Sequence, residues 1–228
     1  MRMRGIFVMG TDTGVGKTAV SCAILRVLRA RGVPVFAYKP VATGSPPGHH
    51  PDILDLASAS QQGYTNISCW EGNAPAAPSL VSRLEGKTLN IADMVAKARA
   101  AVSQDPYFVI EGAGGVLCPL APGLGVADLA RAFGLPCLLV ARRCLGTLNH
   151  ILLSLEACAA RGLGVAGIIM NATRPVEDIA SREAAAEISR LCPVPVLAEV
   201  GHLADHEAAL AGIDWENLPG TRLEGSRT

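Results

Sequence analysis

The apolar run Ile6-Phe7-Val8-Met9 feeds directly into Gly10-Thr11-Asp12-Thr13-Gly14-Val15-Gly16-Lys17-Thr18, and an amphipathic segment beginning Ala19-Val20 follows. Strand, glycine-rich turn and helix in immediate succession constrain this chain more than any other stretch of it. Glycines let successive backbone N–H groups turn inward around phosphate oxygens, and the N-terminus of the next helix adds its positive end. Lys17 supplies a mobile cation for the outer phosphates of a nucleotide, and the Thr18 hydroxyl a ligand for Mg²⁺. Five residues separate Gly10 from Gly16, where the general pattern has four. The competing reading is a glycine turn that only caps a helix; the flanking strand and helix favour the phosphate loop.

Further along, apolar runs alternate with helical periodicity. Residues 33–38, 107–110, 137–140, 165–170 and 194–197 read as strands, and 21–31, 53–59, 91–102, 149–161 and 179–191 as helices. Continuous apolar strands separated by helices predict an α/β fold, a P-loop NTPase-like parallel sheet with helices on both faces. With 228 residues, no internal repeat and no long linker, one domain over 1–228 is expected. Residues 39–44 and the Pro/Gly/His-rich stretch 45–51 read as loops, the latter mobile. Residues 61–87 show no clean period and read as an insertion covering the site. The polar tail over about 217–228 is expected to fray.

Lysine plus arginine and aspartate plus glutamate each total 20, a formal net charge of zero, which argues against nucleic acid or an anionic membrane as partner. No apolar run reaches the ~20 residues of a membrane span. Seven scattered cysteines with no Cys-x-x-Cys motif point to reduced thiols in a cytoplasmic protein rather than to disulfides or zinc.

In an open parallel sheet, ligands bind beyond the carboxyl ends of the strands. That rule selects Lys39 and Thr43 after the second strand, Glu111-Gly112-Ala113-Gly114-Gly115 after the third, and Asn171 after a later one. Glu111, at the tip of an apolar strand, is placed to hold Mg²⁺; the alternative is a cap on the next turn. Asp52 is either the second oxygen ligand or the N-cap of a short helix. Lys39 is a second cation near the phosphates or a solvated lysine. Gly86-Lys87-Thr88 lacks the strand and glycines and is a decoy. His49 and His50 are expected in solvent. The helix start near Asn149 and His150 is either an ordinary cap or a place for a substrate carboxylate.

Taken together, residues 10–18, Tyr38-Lys39-Pro40-Val41-Ala42-Thr43-Gly44, Glu111–Gly115 and Leu145-Gly146-Thr147-Leu148-Asn149-His150 resemble dethiobiotin synthetase in order and spacing over essentially the whole chain. The long Gly10–Gly16 spacing is itself a feature of that family. The resemblance implies a homodimeric ligase that uses ATP and Mg²⁺ to join 7,8-diaminononanoate and CO₂ through a carbamate and a carbamic–phosphoric anhydride. It assigns catalytic roles to Lys17 and Lys39, and Mg²⁺ to Thr18, Asp52 and Glu111. Nucleotide contacts fall to Thr13, Gly14, Val15, Gly16, Lys17, Thr18, Asp52, Glu111, Gly112, Ala113, Gly114, Asn171 and Leu203. Substrate contacts fall to Thr43 and to Gly146, Thr147, Leu148 and Asn149, the last four acting across the dimer interface. The chain departs from the family's common pattern at Gly14, Ala172, Ser79, Gly201 and Cys144, with Arg142 and Arg143 as possible substitutes for a lysine near the last. A switch ATPase of the partitioning kind would carry a second lysine where this loop has Asp12, which counts against that class.

Overall fold

Ile6, Phe7, Val8 and Met9 are all fully buried, and they face alternately into two separate cores: Ile6 and Val8 into one, Phe7 and Met9 into the other. Side chains alternate across a strand, so a strand covered on both sides has no solvent face and its sequence reads as an unbroken apolar run. The computed structural model describes residues 3–102, 105–176 and 178–222. Its first half runs β1 (Arg4–Gly10), α1 (Lys17–Ala30), β2 (Val35–Tyr38), β3 (Val41–Thr43), α2 (Pro51–Ser60), β4 (Trp70–Gly72), α3 (Pro78–Glu85), α4 (Ile91–Ala100) and β5 (Tyr107–Gly115). The second half adds β6 (Pro119–Ala121), β7 (Leu124–Gly125), α5 (Val126–Phe133), β8 (Cys137–Arg142), α6 (Thr147–Ala159), β9 (Gly164–Asn171), α7 (Ile179–Leu191), β10 (Val196–Val200), α8 (His206–Leu210) and β11 (Thr221–Arg222).

The main sheet has the order β10-β9-β8-β1-β5-β2, every adjacent pair parallel, with β11 antiparallel on β9. One face is covered by α1, α2 and α8 through Ile24, Leu25, Leu28, Ile53, Leu56 and Leu210. The other is covered by α4 to α7 through Met94, Leu129, Phe133, Ile151, Leu155 and Ile188. This is the expected α/β sheet covered on both faces. After β1 the chain crosses to the far edge at β2 and returns to β5, whereas β8 continues on the opposite side. The carboxyl end of β1 is therefore the topological switch point, where such sheets open a crevice for ligand.

Several local expectations are corrected. Residues 41–43 are strand rather than loop, pairing in parallel with β4 in a two-stranded ribbon. The aperiodic 61–87 segment contains β4 and α3; a three-residue strand is too short to display a period. The third strand extends through Glu111 to Gly115, with Val8 opposite Glu111 and Gly10 opposite Gly115. The final parallel strand lies at 196–200 rather than 194–197. The sequence pattern also conceals α5, eight residues long.

The C-terminal segment is tied down further than expected, since β11 pairs with β9 inside the stretch expected to fray, and the residues before it are anchored too. Trp215 is buried, its indole N–H donates to Leu210 O at 3.3 Å, and Tyr107 Oη donates to Trp215 O at 2.6 Å. Burial pushes the Tyr107 phenol well above its ordinary pKa, so it remains a donor. Residues 223–228 of the expected tail lie outside the described residues. Tyr107→Phe removes the donor to a buried carbonyl and should cost about 1–2 kcal/mol. Urea unfolding measures this; unchanged stability would show that the segment is held by packing alone.

Candidate active site

The phosphate loop links β1 to the first turn of α1, and Gly16 is the helix N-cap at φ 97°. A Cβ on Gly16 would stand 2.0 Å from Asn171 Nδ2, so glycine is required both by the left-handed backbone and by the side chain behind it. That amide donates to Val15 O at 3.0 Å, and its Oδ1 meets His206 Nε2 at 3.1 Å. The end of β9 thereby braces the loop from outside. Within the loop, Lys17 Nζ donates to Asp12 O at 3.0 Å. Burial, reinforced by the neighbouring charge of Lys39 and opposed by Glu111, lowers the Lys17 pKa to about 8.

Beside the loop lies a buried charge cluster. Lys39, delivered by β2, places Nζ 2.6 Å from Glu111 Oε1 and 2.8 Å from Asp52 Oδ2. Thr18 Oγ1, in the first turn of α1, donates to the same Glu111 oxygen at 2.9 Å. Glu111 is completely buried and Lys39 nearly so, whereas Asp52 is partly open. Burial alone would lower the Lys39 pKa, but the two carboxylates hold it above its ordinary value. Burial would likewise raise Asp52, and the Lys39 ammonium keeps it below the usual carboxylate range. Asp52 sits inside the first turn of α2, after Pro51, and His50 is the N-cap residue. The N-cap alternative for Asp52 is thus set aside.

The donors here are hydroxyl and carboxylate oxygens, the set a hard divalent cation takes. Glu111 Oε2 is buried with no hydrogen-bond partner among the described residues, so one lone-pair face of the strand-end carboxylate is unspent. Thr18, Asp52 and Glu111 therefore fit Mg²⁺. Among the described residues no group of three or more His, Cys, Asp or Glu side chains gathers into a metal cluster.

A cavity of about 640 Å³ unites the loop and the cluster. Of the expected residues, Thr13, Gly14, Gly16, Lys17, Thr18, Lys39, Thr43, Asp52, Glu111, Ala113 and Gly114 line it. The wall also takes in His50 and Cys118, which the sequence does not single out for the site, and residues 75–78 of the segment expected to cover the site. His50 is buried rather than in solvent: Nε2 lies 3.0 Å from Thr43 O, and its backbone N–H donates to Tyr64 Oη at 3.0 Å. The Pro/Gly/His stretch is thus pinned to α2 and the ribbon. A buried histidine among turn formers leaves no sequence signal.

Other expected residues stand elsewhere. Val15 is buried beneath the loop, and Gly112 packs where a Cβ would meet Val126 Cγ1 at 2.8 Å. Asn171 has both ends of its amide engaged behind the loop. Leu203 is 90% exposed at φ 56°. Gly146, Thr147, Leu148 and Asn149 form the start of α6, outside the lining of this cavity. Arg142 Nη2 donates to Thr13 O at 3.2 Å and Gly14 O at 3.3 Å, whereas Arg143 pairs with Glu199 at 2.9 Å. Neither substitutes for a lysine over the Leu145-Gly146 turn.

Removing one member of a buried ion pair strands its partner's charge. Lys39→Met should destabilise the protein by about 3 kcal/mol in urea unfolding, and Lys39→Met/Glu111→Gln should recover part of the loss. Equal stability of wild type and single variant would contradict a buried, charged Glu111.

A family model described as AAA domain (AAA_26) matches residues 4–209. An ATP-dependent dethiobiotin synthetase of Anaeromyxobacter dehalogenans is 47% identical over 191 residues, covering 83% of this chain and 86% of the relative. That of Anaeromyxobacter sp. strain K is 44% identical over 216 residues, covering 94% and 91%. A Bacillus velezensis synthetase is 36% identical over 198 residues, covering 86% and 85%. Among solved structures, the cell division protein FtsY of Thermotoga maritima superposes with a TM-score of 0.51 at 19% identity, over 90% of this chain. Chloroplast FtsY of Physcomitrella patens gives 0.53 at 19% identity, over 91%. This chain spans 63% and 61% of those two FtsY chains, and the likeness bears on the fold alone. Phosphate loop, strand-end lysine and strand-end glutamate thus meet in one cavity on a chain that matches named synthetases over most of its length: it belongs to the ATP-dependent dethiobiotin synthetase family.

Proposed function

We propose that this chain closes the cyclic urea of dethiobiotin from 7,8-diaminononanoate, CO₂ and ATP, acting in the cytoplasm as a homodimer. The observation that carries the reading is Lys39, held between Glu111 and Asp52 at the lip of the phosphate loop. One amine of the diamine adds to CO₂ and loses a proton, giving a carbamate. A carbamate oxygen attacks the γ-phosphorus of ATP, and the bond to the bridging oxygen of ADP breaks. The second amine then attacks the carbonyl carbon of the mixed anhydride, expelling phosphate and losing a proton as the ring closes.

A carbamate is a poor electrophile, so the enzyme's task is to hold two anions together while one becomes a leaving group. Lysine has three donors. Two of those on Lys39 are engaged by the carboxylates, leaving one for the carbamate or the transferring phosphoryl group. Lys17 exchanges its bond to Asp12 O for the outer phosphates, and the N–H groups of the loop take the remaining oxygens. Mg²⁺ held by Thr18, Asp52 and Glu111 would neutralise charge on the phosphates. Thr43, which lines the cavity from the ribbon, is assigned to the diamine.

At the start of α6 the Thr147 N–H donates to Cys144 O at 3.1 Å, whereas those of Leu148 and Asn149 find no acceptor among the described residues and could take the substrate carboxylate. Because none of them lines this chain's own cavity, they would serve a second protomer. Leu145, Leu117 and Leu153 near it are 80%, 54% and 56% exposed, an apolar surface that a partner would cover. All seven cysteines are free, as a reducing compartment would keep them. None of the described helices is long and apolar enough to cross a membrane.

ADP release with bicarbonate present should depend on the diamine and match formation of the urea product; diamine-independent hydrolysis without that product would defeat the reading. Lys17→Ala should lower turnover on the order of 10²-fold or more. Near-normal turnover would remove Lys17 from the phosphates. The lowered Lys17 pKa adds a pH dependence with a definite sign. As pH rises through about 8 the free protein loses the ammonium, so MgATP binding weakens. Calorimetry should show Kd rising by up to about tenfold per pH unit above that point. A flat profile from pH 7 to 9.5 would contradict this.

A further inference from the structure

The walls of the phosphate loop are held by side chains that never enter the cavity. Arg142, the last residue of β8, donates from Nη2 to Thr13 O at 3.2 Å and to Gly14 O at 3.3 Å. Asn171, the last residue of β9, donates to the next carbonyl, Val15 O, at 3.0 Å. Three consecutive carbonyls are thus drawn outward by the ends of two adjacent strands. In a trans peptide the C=O of one residue and the N–H of the next point in opposite directions. Fixing O of Thr13, Gly14 and Val15 outward therefore fixes N–H of Gly14, Val15 and Gly16 inward. Among the described residues those three N–H groups find no acceptor. They are oriented donors awaiting anionic oxygen.

We infer that Arg142 is a positioning residue for phosphate binding: its guanidinium clamps the Thr13 and Gly14 carbonyls and so aims the Gly14 and Val15 N–H groups at the nucleotide. This rests on the phosphate-loop reading of Proposed function. The clamp is set where it is most needed. Gly14, at φ 69°, has no side chain to restrict its backbone, and an added Cβ there would come 3.5 Å from Arg142 Nη2. Both bonds leave one nitrogen, Nη2, whose two N–H groups lie in the rigid guanidinium plane and so fix the direction of two adjacent carbonyls, whereas the donors of an ammonium rotate freely. The positive charge also sits behind the loop, where it adds to the potential felt by phosphate without touching it.

The test measures MgATP affinity by calorimetry on the full chain for wild type, Arg142→Lys and Arg142→Ala, together with steady-state KM for each substrate and the unfolding midpoint of the nucleotide-free protein. Arg142→Ala should raise Kd for MgATP about tenfold. KM for ATP should follow, with KM for the diamine and the unfolding midpoint close to wild type. Arg142→Lys should recover part of the affinity, because its ammonium keeps the charge and a donor behind the loop without the planar geometry. Wild-type MgATP affinity in Arg142→Ala would overturn the inference. So would a parallel loss for both substrates with a lowered midpoint, which marks a merely structural role. Arg142→Lys no better than Arg142→Ala would remove the hydrogen-bonding basis. Failure of wild type itself to bind MgATP would overturn the phosphate-loop reading and this inference with it.

Discussion

One buried ammonium group organises the catalytic edge of this protein. Lys39 draws together the ends of β2 and β5 and the first turn of α2, through Asp52 and Glu111, at the place where the sheet reverses its strand order. A completely buried carboxylate is costly unless paired, and a buried lysine equally so; each is the condition for the other remaining charged. The arrangement gives little net stability compared with an apolar core of the same volume. It fixes a charge where an anionic reaction would need one, and the same Glu111 oxygen ties Thr18 and hence α1 to the cluster.

Around that centre, binding and bracing are divided between different residues. Backbone N–H groups and Lys17 face the cavity, whereas Arg142, Asn171 and His206 stand behind the loop and set its shape. The sheet makes this possible, because β1 lies between β8 and β5 and the loop it carries is flanked by strand ends on each side. Lys17 donates to the loop's own Asp12 carbonyl.

Much of this was legible in the sequence, for physical reasons that also explain what was not. The phosphate loop announced itself because its chemistry needs glycines and a lysine in a contiguous stretch. Lys39 and Glu111 could be picked out because polar residues at the ends of apolar strands are conspicuous. The short ribbon of Val41–Thr43 with Trp70–Gly72 was not legible, since three residues carry no periodicity. The burial of His50 could not be foreseen from the flanking prolines and glycines, because it depends on contacts with Thr43 and Tyr64. The place of Asn171 behind the loop, and the clamp made by Arg142, are properties of the strand order, which juxtaposes residues more than 100 positions apart.

The central claim is that this site phosphorylates a carbamate, so that one oxygen of CO₂ leaves on phosphate. Single-turnover reaction with ¹⁸O-labelled bicarbonate, read by the isotope shift of phosphate in ³¹P NMR, tests it most directly. The account predicts one ¹⁸O in each phosphate released with dethiobiotin. Phosphate whose added oxygen comes only from unlabelled water would contradict it.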